Sequence, residues 1–170
     1  ESVGSYAITP FGNEYQGNYR VLYVPGSLTI TRAAATVKAN DASKVYGADD
    51  PASAATVSGL QNGDAASVIS YTLSREDGET AGTYTITPAG AVIQGNYTVS
   101  FETGVFSIDR AQATVKADDK SKTYGDDDPA LTATVTGLVN NDAVNVIAYG
   151  VDREVGETVG TYTITPTGEA

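Results

Sequence analysis

A repeat with a fixed period of 78 residues is the feature that most constrains how this chain can fold. Arg75 returns as Arg153 and Tyr19 returns as Tyr97, without insertions or deletions between them. A fixed period of this kind is typical of tandem arrays in which each copy is one folded unit. The 170-residue chain is therefore expected to hold one complete copy between two partial ones. The expected segments are 1–32, the C-terminal part of one repeat; 33–110, a complete repeat domain; and 111–170, the N-terminal part of the next repeat.

Composition excludes several classes of function. The chain has no Cys and no His, so it has no thiol nucleophile, no thiolate metal site and no histidine general base. A net charge of −11 argues against nucleic acid and anionic membrane surfaces as partners. No apolar run approaches the ~18 residues of a spanning helix, so we expect no membrane insertion in this segment.

Short stretches of alternating polar and apolar residues predict a mainly β protein. Examples are 35–39, 83–87 and 97–101, each followed by a residue such as Asn, Pro or Gly within a few positions. This alternation is typical of half-buried strands separated by turns. The residues expected to be buried together in the complete repeat are Val37, Tyr84, Ile86, Tyr97, Val99, Phe106 and Ile108.

Two local patterns predict the connections between strands. Asp64 precedes a short stretch ending at Ile69, and its carboxylate is expected to cap one helical turn there. Asp142 is expected to do the same for the turn that ends at Ile147. The dipeptide 77–78, Asp-Gly, predicts a tight hairpin turn between two strands.

The order of motifs along the repeat resembles a known family. The complete copy reads Lys-x-Tyr-Gly-x-Asp-Asp-Pro, Gly-Leu-x-Asn-x-Asp, Gly-Thr-Tyr-Thr-Ile-Thr-Pro, Gly-Asn-Tyr and Gly-x-Phe-x-Ile, starting at residues 44, 59, 82, 95 and 104. This set is similar to the MBG-type (YGX-like) tandem repeat domains of large bacterial surface proteins and adhesins, and the resemblance covers the whole chain. It implies compact β domains, β-grasp-like or immunoglobulin-like sandwiches, arranged head to tail outside the cell. It implies no catalytic residue and no cofactor.

Acidic loops are the candidate metal sites. Calcium takes six to eight oxygen ligands, and carboxylates on a Gly-containing loop supply several. The alternative is a solvated or capping role, because Asp beside Pro is ordinary turn chemistry. The candidate calcium ligands are Asp49, Asp50, Asp126, Asp127 and Asp128.

Other residues are predicted to be structural. Lys38 and Lys116 lie on the polar side of their strands, so we expect exposed lysines and not the buried lysines of isopeptide bonds. We expect the Arg-Glu dipeptides at 75–76 and 153–154 to form cross-strand or interdomain ion pairs. The recurring tyrosines are expected to pack in the core with the hydroxyl at the rim, and sugar platforms are the alternative. Paired carboxylates would need a substrate cleft to act as a glycosidase, so no enzyme is predicted.

The sequence thus favours a structural repeat segment, a stalk, fibre or spacer of a bacterial extracellular surface protein. The alternative is a directly adhesive module that binds glycan or mucin. The predicted partners are neighbouring repeats, and an incomplete sheet is a template for strand addition. We therefore expect residues 1–32 of one molecule to complete the 111–170 segment of another by strand complementation.

Overall fold

The computed structural model describes residues 1–168 and confirms a mainly β protein arranged in tandem. Before the complete repeat lie β1 (Gly4–Ile8), β2 (Tyr15–Gln16), β3 (Tyr19–Arg20) and β4 (Gly26–Ile30). The complete repeat contains β5 (Ala33–Ala39), β6 (Ala42–Val45), β7 (Ala55–Ser58), β8 (Thr72–Arg75), β9 (Gly82–Ala89), β10 (Ile93–Gln94), β11 (Tyr97–Glu102) and β12 (Gly104–Asp109). After it lie β13 (Thr114–Ala117), β14 (Ala133–Thr136), β15 (Gly150–Arg153) and β16 (Ile164–Thr167).

The strand pairs recur with the sequence period. Val37 pairs with Val57 in β5–β7, and Val115 pairs with Val135 in β13–β14. In the same way β8–β9 and β15–β16 have one register, shifted by one repeat. Equal local sequence therefore produces equal hairpins and equal register in successive copies, because the side-chain period of a strand sets which face is buried.

The complete repeat contains two four-stranded sheets, with strand orders β10-β11-β5-β7 and β6-β12-β9-β8. Within the first sheet β11 runs parallel to β5, whereas the neighbouring pairs are antiparallel. Parallel neighbours need a long crossover connection. The segment between β5 and β11, which contains β6 to β10, supplies this crossover. The repeat has two sheets and not one sheet wrapped around a helix.

Contacts divide the chain into two compact units. The first comprises residues 1–43, 51–78 and 83–107, and the second comprises 44–50, 79–82 and the chain from residue 108. These units follow contacts, whereas the segment boundaries at residues 33 and 110 follow the sequence period. The boundaries therefore stay a prediction, and the last two residues of the 111–170 segment lie outside the described part of the chain.

The core of the first unit lies beneath the first sheet. It is a cluster formed by Ala35, Val37, Ile69, Tyr97 and Val99. Side chains alternate between the two faces of β5, so Val37 is buried whereas the next residue, Lys38, is exposed. The cluster confirms the predicted role of β5 and β11 as core strands.

Six of the seven predicted core residues are buried, and the exception is Tyr84. This ring is half-buried because it faces the Arg75 guanidinium, whose carbon lies 5.6 Å from the ring centre. The same guanidinium lies 4.9 Å from the ring centre of Phe106, so one arginine contacts both the half-buried and the buried ring.

The predicted helix caps are wrong, although a helical turn forms at both places. The 3-10 helices span Ala66–Val68 and Val144–Val146, and neither receives a side-chain cap. In the first, the N-cap position falls on the residue after Asp64, so the aspartate is one residue too early. The Asp64 carboxylate instead accepts a hydrogen bond of 2.6 Å from the Tyr97 hydroxyl.

The predicted two-residue turn at Asp77-Gly78 is also wrong. The connection between β8 and β9 runs over residues 76–81. Its interior is held by Arg75, which donates to the carbonyl oxygens of Glu76 and Gly78 at 2.8 and 2.7 Å. The arginine thus satisfies two carbonyl groups of this longer connection.

Candidate functional site

A cluster of four charged side chains lies in the second unit. In this charge cluster, Asp128 accepts from Lys122 at 2.7 Å and from Arg153 at 2.6 Å. Glu157 completes it by accepting from Lys122 at 2.6 Å and from Arg153 at 2.5 Å. Each carboxylate bridges two cations, so the four groups form a closed ring of ion pairs.

The complete repeat has the two lysine ion pairs of this cluster one period earlier. Lys44 forms an ion pair of 2.6 Å with Asp50 and a second ion pair with Glu79. The Lys44 side chain is only 6% exposed. Lys44 lies in β6, so the acidic loop begins after Val45, whereas the motif placed its start at Lys44. A lysine shielded to this degree requires its two carboxylate partners.

The electrostatics favour the charged form of all four members of the charge cluster, and of Lys44 in the complete repeat. The two cations hold the pKa of Asp128 at about 2, with Arg153 as the larger cause and Lys122 as the second. Hydrogen bonds from the same cations lower the pKa of Glu157. Hydrogen bonds to carboxylates raise the pKa of Lys122, of Arg153 and of Lys44.

The candidate calcium ligands are divided between two environments. Asp50 and Asp128 accept from the lysines of the clusters, so calcium would have to displace a cation from each. Asp49, Asp126 and Asp127 are exposed on the same loops. Within residues 1–168, no group of three or more acidic side chains is arranged to hold a metal ion. Calcium binding stays a prediction, and these loops offer it no preformed cage.

The remaining sequence candidates have simple positions. Lys38 and Lys116 are exposed, as predicted. Arg153 forms ion pairs with Asp128 and with Glu157. The Glu154 carboxylate accepts the Thr163 amide across the hairpin at 3.5 Å. Sequence reasoning missed the glutamate of each cluster, although the recurrence of Lys, Asp, Arg and Glu at one period was the available signal.

The tyrosine at position 97 behaves as predicted for a core residue. Its ring is buried, and its hydroxyl also accepts the Gln61 amide at 2.9 Å. The hydrogen bond to Asp64 raises the pKa of the Tyr97 hydroxyl. The hydroxyl is therefore satisfied within its own repeat, and the buried ring offers no exposed face on which a sugar could stack.

A groove of about 460 Å³ lies beside the charge cluster in the second unit. One wall includes residues 120–122 and Tyr124, and the other includes residues 156–162 and Ile164. By the 78-residue offset these walls correspond to the β6 region and to the end of the β8–β9 loop together with the start of β9. In the complete repeat, β12 lies between β6 and β9. The groove therefore lies at the position that β12 occupies in the complete repeat.

A second concave surface lies in the first unit. It is lined by polar and small residues of the first sheet and its edges, among them Lys38, Asn40 and Glu102. None of its lining residues is aromatic. It lacks the ring platform expected of a glycan-binding cleft.

The family model for the MBG domain (YGX type) matches residues 35–107 and 113–170, which is more than half of the chain. The chain belongs to the MBG domain family. MBG domains occur in secreted surface proteins, and the family is structural or adhesive and not enzymatic. No curated protein and no solved structure shows a match to the chain. Among the described residues of this MBG protein, no helix is long and apolar enough to cross a membrane.

The charge cluster predicts a specific loss of stability in acid. Since the folded pKa of Asp128, about 2, lies below its ordinary value of 3.8, its contribution is complete above about pH 4. It is lost as the pH falls through 2, because protonation breaks both ion pairs. We expect the urea midpoint to fall between pH 4 and pH 2, and Asp128→Asn to flatten this fall.

The matched control is Asp127→Asn, which changes an exposed neighbour outside the cluster. It should retain the acid dependence of the unmodified chain. Equal acid dependence in the Asp128 variant and the unmodified chain would show that the cluster does not stabilise the fold.

Proposed function

We propose that this chain is a stalk or fibre segment of a bacterial extracellular surface protein, in which MBG repeats act as spacers. The observation that carries the proposal is the recurrence of the same strand pairs and the same ion pairs in consecutive copies. A site with a unique ligand is needed once, whereas a spacer must rebuild one rigid shape in every copy.

The charge clusters support a mechanical role. In the complete repeat, Lys44 on β6 ties together the loop that contains Asp50 and the loop that contains Glu79. In the next copy Lys122 and Arg153 tie the same two loops. Ion pairs that join separate loops hold their spacing without a disulfide, which a chain without cysteine cannot form.

Strand complementation is the proposed means of assembly between molecules. The antiparallel pair of β1 and β4 leaves Tyr6, Ile8 and Leu28 exposed by 42, 56 and 48%. Their counterparts in the complete repeat include Ile86 and Phe106, which are 0 and 2% exposed. An exposed apolar strand face of this kind favours association.

The groove of the second unit has the complementary position. Its counterpart in the complete repeat holds β12, and the strand one period before β12 is β4 (Gly26–Ile30). The proposal is that β4 of one molecule enters the groove of another. On entering the groove, β4 gives up its pairing with β1 of its own molecule and pairs with the equivalent strand in the groove wall of the other molecule. The same kind of strand pair forms again, and the apolar face of β4 becomes covered.

Sedimentation of the 170-residue chain across a dilution series tests this proposal. The average mass should rise above 17.5 kDa as concentration increases. Leu28→Asp places a charge on the apolar face and should keep the chain monomeric. Thr29→Asp is the control, because Thr29 lies on the opposite face of β4. A constant mass of 17.5 kDa for the unmodified chain would contradict strand complementation.

Direct glycan or mucin binding is the second candidate, favoured by Tyr124 and Tyr162 in the lining of the groove. The same sedimentation series with soluble mucin glycopeptide separates the two functions. A spacer should sediment identically with and without the glycopeptide. Cosedimentation that is lost in a Tyr124→Ala, Tyr162→Ala variant would overturn the spacer function in favour of an adhesive one.

A further inference from the structure

The Tyr-Gly motif of the complete repeat forms a turn directly after β6. The Ala48 amide donates to the Val45 carbonyl at 3.0 Å and closes this turn. The Tyr46 amide donates at 2.8 Å to the carbonyl of Asp109, the last residue of β12. The turn is thereby fixed beside the strand that leads into the next repeat.

Both residues of the motif contact a loop of the next repeat, within the second unit. The Tyr46 hydroxyl donates to the Asp142 carboxylate at 3.1 Å. Gly47 lies so close to Val139 that a Cβ atom there would be 2.6 Å from Val139 Cγ2. Glycine also suits the backbone, since Gly47 has φ of +88°. Tyrosine supplies the donor, and glycine supplies the close approach.

The second copy of the motif provides a comparison within one molecule. Tyr124-Gly125 forms the same turn, closed by a hydrogen bond of 3.1 Å from the Asp126 amide to the Thr123 carbonyl. Tyr124 is 74% exposed whereas Tyr46 is half-buried, and nothing lies within 4 Å of a Cβ built on Gly125. The turn therefore forms with or without a docked loop, and a preformed turn lowers the entropic cost of binding.

The loop that the Tyr-Gly turn contacts also differs in burial between the two copies. It has the sequence Gly-Leu-x-Asn-x-Asp in both copies, at 59–64 and 137–142. Val139 and Asp142 are half-buried where the Tyr-Gly turn contacts them, whereas their counterparts Gln61 and Asp64 are exposed. Burial of the loop thus accompanies contact with a Tyr-Gly turn.

The acceptor can serve two tyrosines. Asp64 accepts from Tyr97 of its own repeat through Oδ2. Asp142 accepts from Tyr46 of the preceding repeat through Oδ2. An ionised carboxylate offers about four acceptor positions, so one aspartate accommodates both donors.

We propose that the Tyr-Gly turn of each repeat binds the Gly-Leu-x-Asn-x-Asp loop of the repeat that follows, and that this contact is the joint of the array. The inference rests on the proposed tandem spacer function and names the surface that links its units. The exposed Tyr124-Gly125 turn is accordingly the binding surface for the same loop of a further copy of this repeat.

Hydrogen exchange of the loop amides, measured on the 170-residue chain at a concentration where it is monomeric, tests the joint. The Asp142 amide donates to the Val139 carbonyl at 2.9 Å and reports loop opening. Gly47→Ala should accelerate exchange in the 139–142 loop by roughly tenfold, the loss expected when contacts equivalent to one charge-assisted hydrogen bond are removed. Gly125→Ala is the matched control, because its φ of +92° imposes the same backbone strain without a facing side chain.

Tyr46→Phe keeps the ring and removes only the donor, so it tests the joint even where Gly47→Ala disturbs folding. It should accelerate loop exchange by several fold, whereas Tyr124→Phe should have no effect on that loop. Adding Asp142→Asn to Tyr46→Phe should give little further acceleration, because the two changes remove one hydrogen bond.

Equal loop exchange in Gly47→Ala and Gly125→Ala, together with no effect of Tyr46→Phe, would overturn the joint. The outcome is independent of assembly between molecules, since exchange is read on the monomer. Accelerated exchange with a concentration-independent mass would retain the joint and reject only strand complementation.

Discussion

Replacing Phe106 by alanine is expected to lower the free energy of unfolding of the complete repeat by about 3–5 kcal/mol. The Phe106 side chain is 2% exposed, and the Arg75 guanidinium lies over its ring. The alanine variant would lose the transfer free energy of the buried ring and would leave a cavity. It would also remove the aromatic face that the Arg75 guanidinium contacts. Because small domains have total stabilities of only about 5–15 kcal/mol, most of the repeat should unfold at moderate denaturant concentration.

Urea unfolding of the 170-residue chain at low concentration measures this effect. The matched control is Leu28→Ala, one period earlier, where the side chain is 48% exposed. Its effect should be much smaller, since little apolar surface is removed from a packed environment. Similar losses for the two variants would show that burial in the complete repeat does not determine stability at this position.

Gly59→Ala is expected to destabilise the chain by more than the usual cost of a left-handed residue, about 1–2 kcal/mol. Gly59 has φ of +81°, and a Cβ atom there would lie 2.5 Å from the carbonyl oxygen of Ala34. That oxygen belongs to the backbone of β5, so the clash cannot be relieved by a side-chain rotation. The added methyl group must displace the first strand or open the turn.

Gly63→Ala separates the two contributions to this effect. Gly63 has φ of +74°, and nothing lies within 4 Å of a Cβ built on it. The control variant should therefore show only the conformational cost, and the difference between the two urea midpoints measures the clash against β5. Equal urea midpoints for Gly59→Ala and Gly63→Ala would indicate that β5 moves to accommodate the methyl group without a loss of stability.

The glycine of the Gly-Leu-x-Asn-x-Asp motif illustrates how far sequence reasoning reaches. Its recurrence indicated a turn, and the structure has that turn at Gly59 and again at Gly137. Its close approach to the backbone of the first strand could not be derived from the turn sequence. A positive φ is a local property of the chain, whereas the atom that faces a missing Cβ is a property of the packed fold.

What the sequence alone determined is local and periodic. The 78-residue offset correctly predicted an array, and alternation correctly predicted a mainly β protein with residues such as Val37 and Val99 in the core. These features depend on the side-chain period of a strand and on near neighbours in the chain, so they recur wherever the motifs recur.

Only the tertiary structure decided which distant groups meet. The parallel pairing of β11 with β5 joins segments at the two ends of the repeat. Asp64 was expected to cap a helical turn, yet its carboxylate meets Tyr97 across the fold. Asp142 occupies the equivalent position of the same motif, and its carboxylate accepts a hydrogen bond from Tyr46 of the preceding repeat. A short polar side chain has several acceptable partners, and the partner that reaches it is selected by folding of the whole domain.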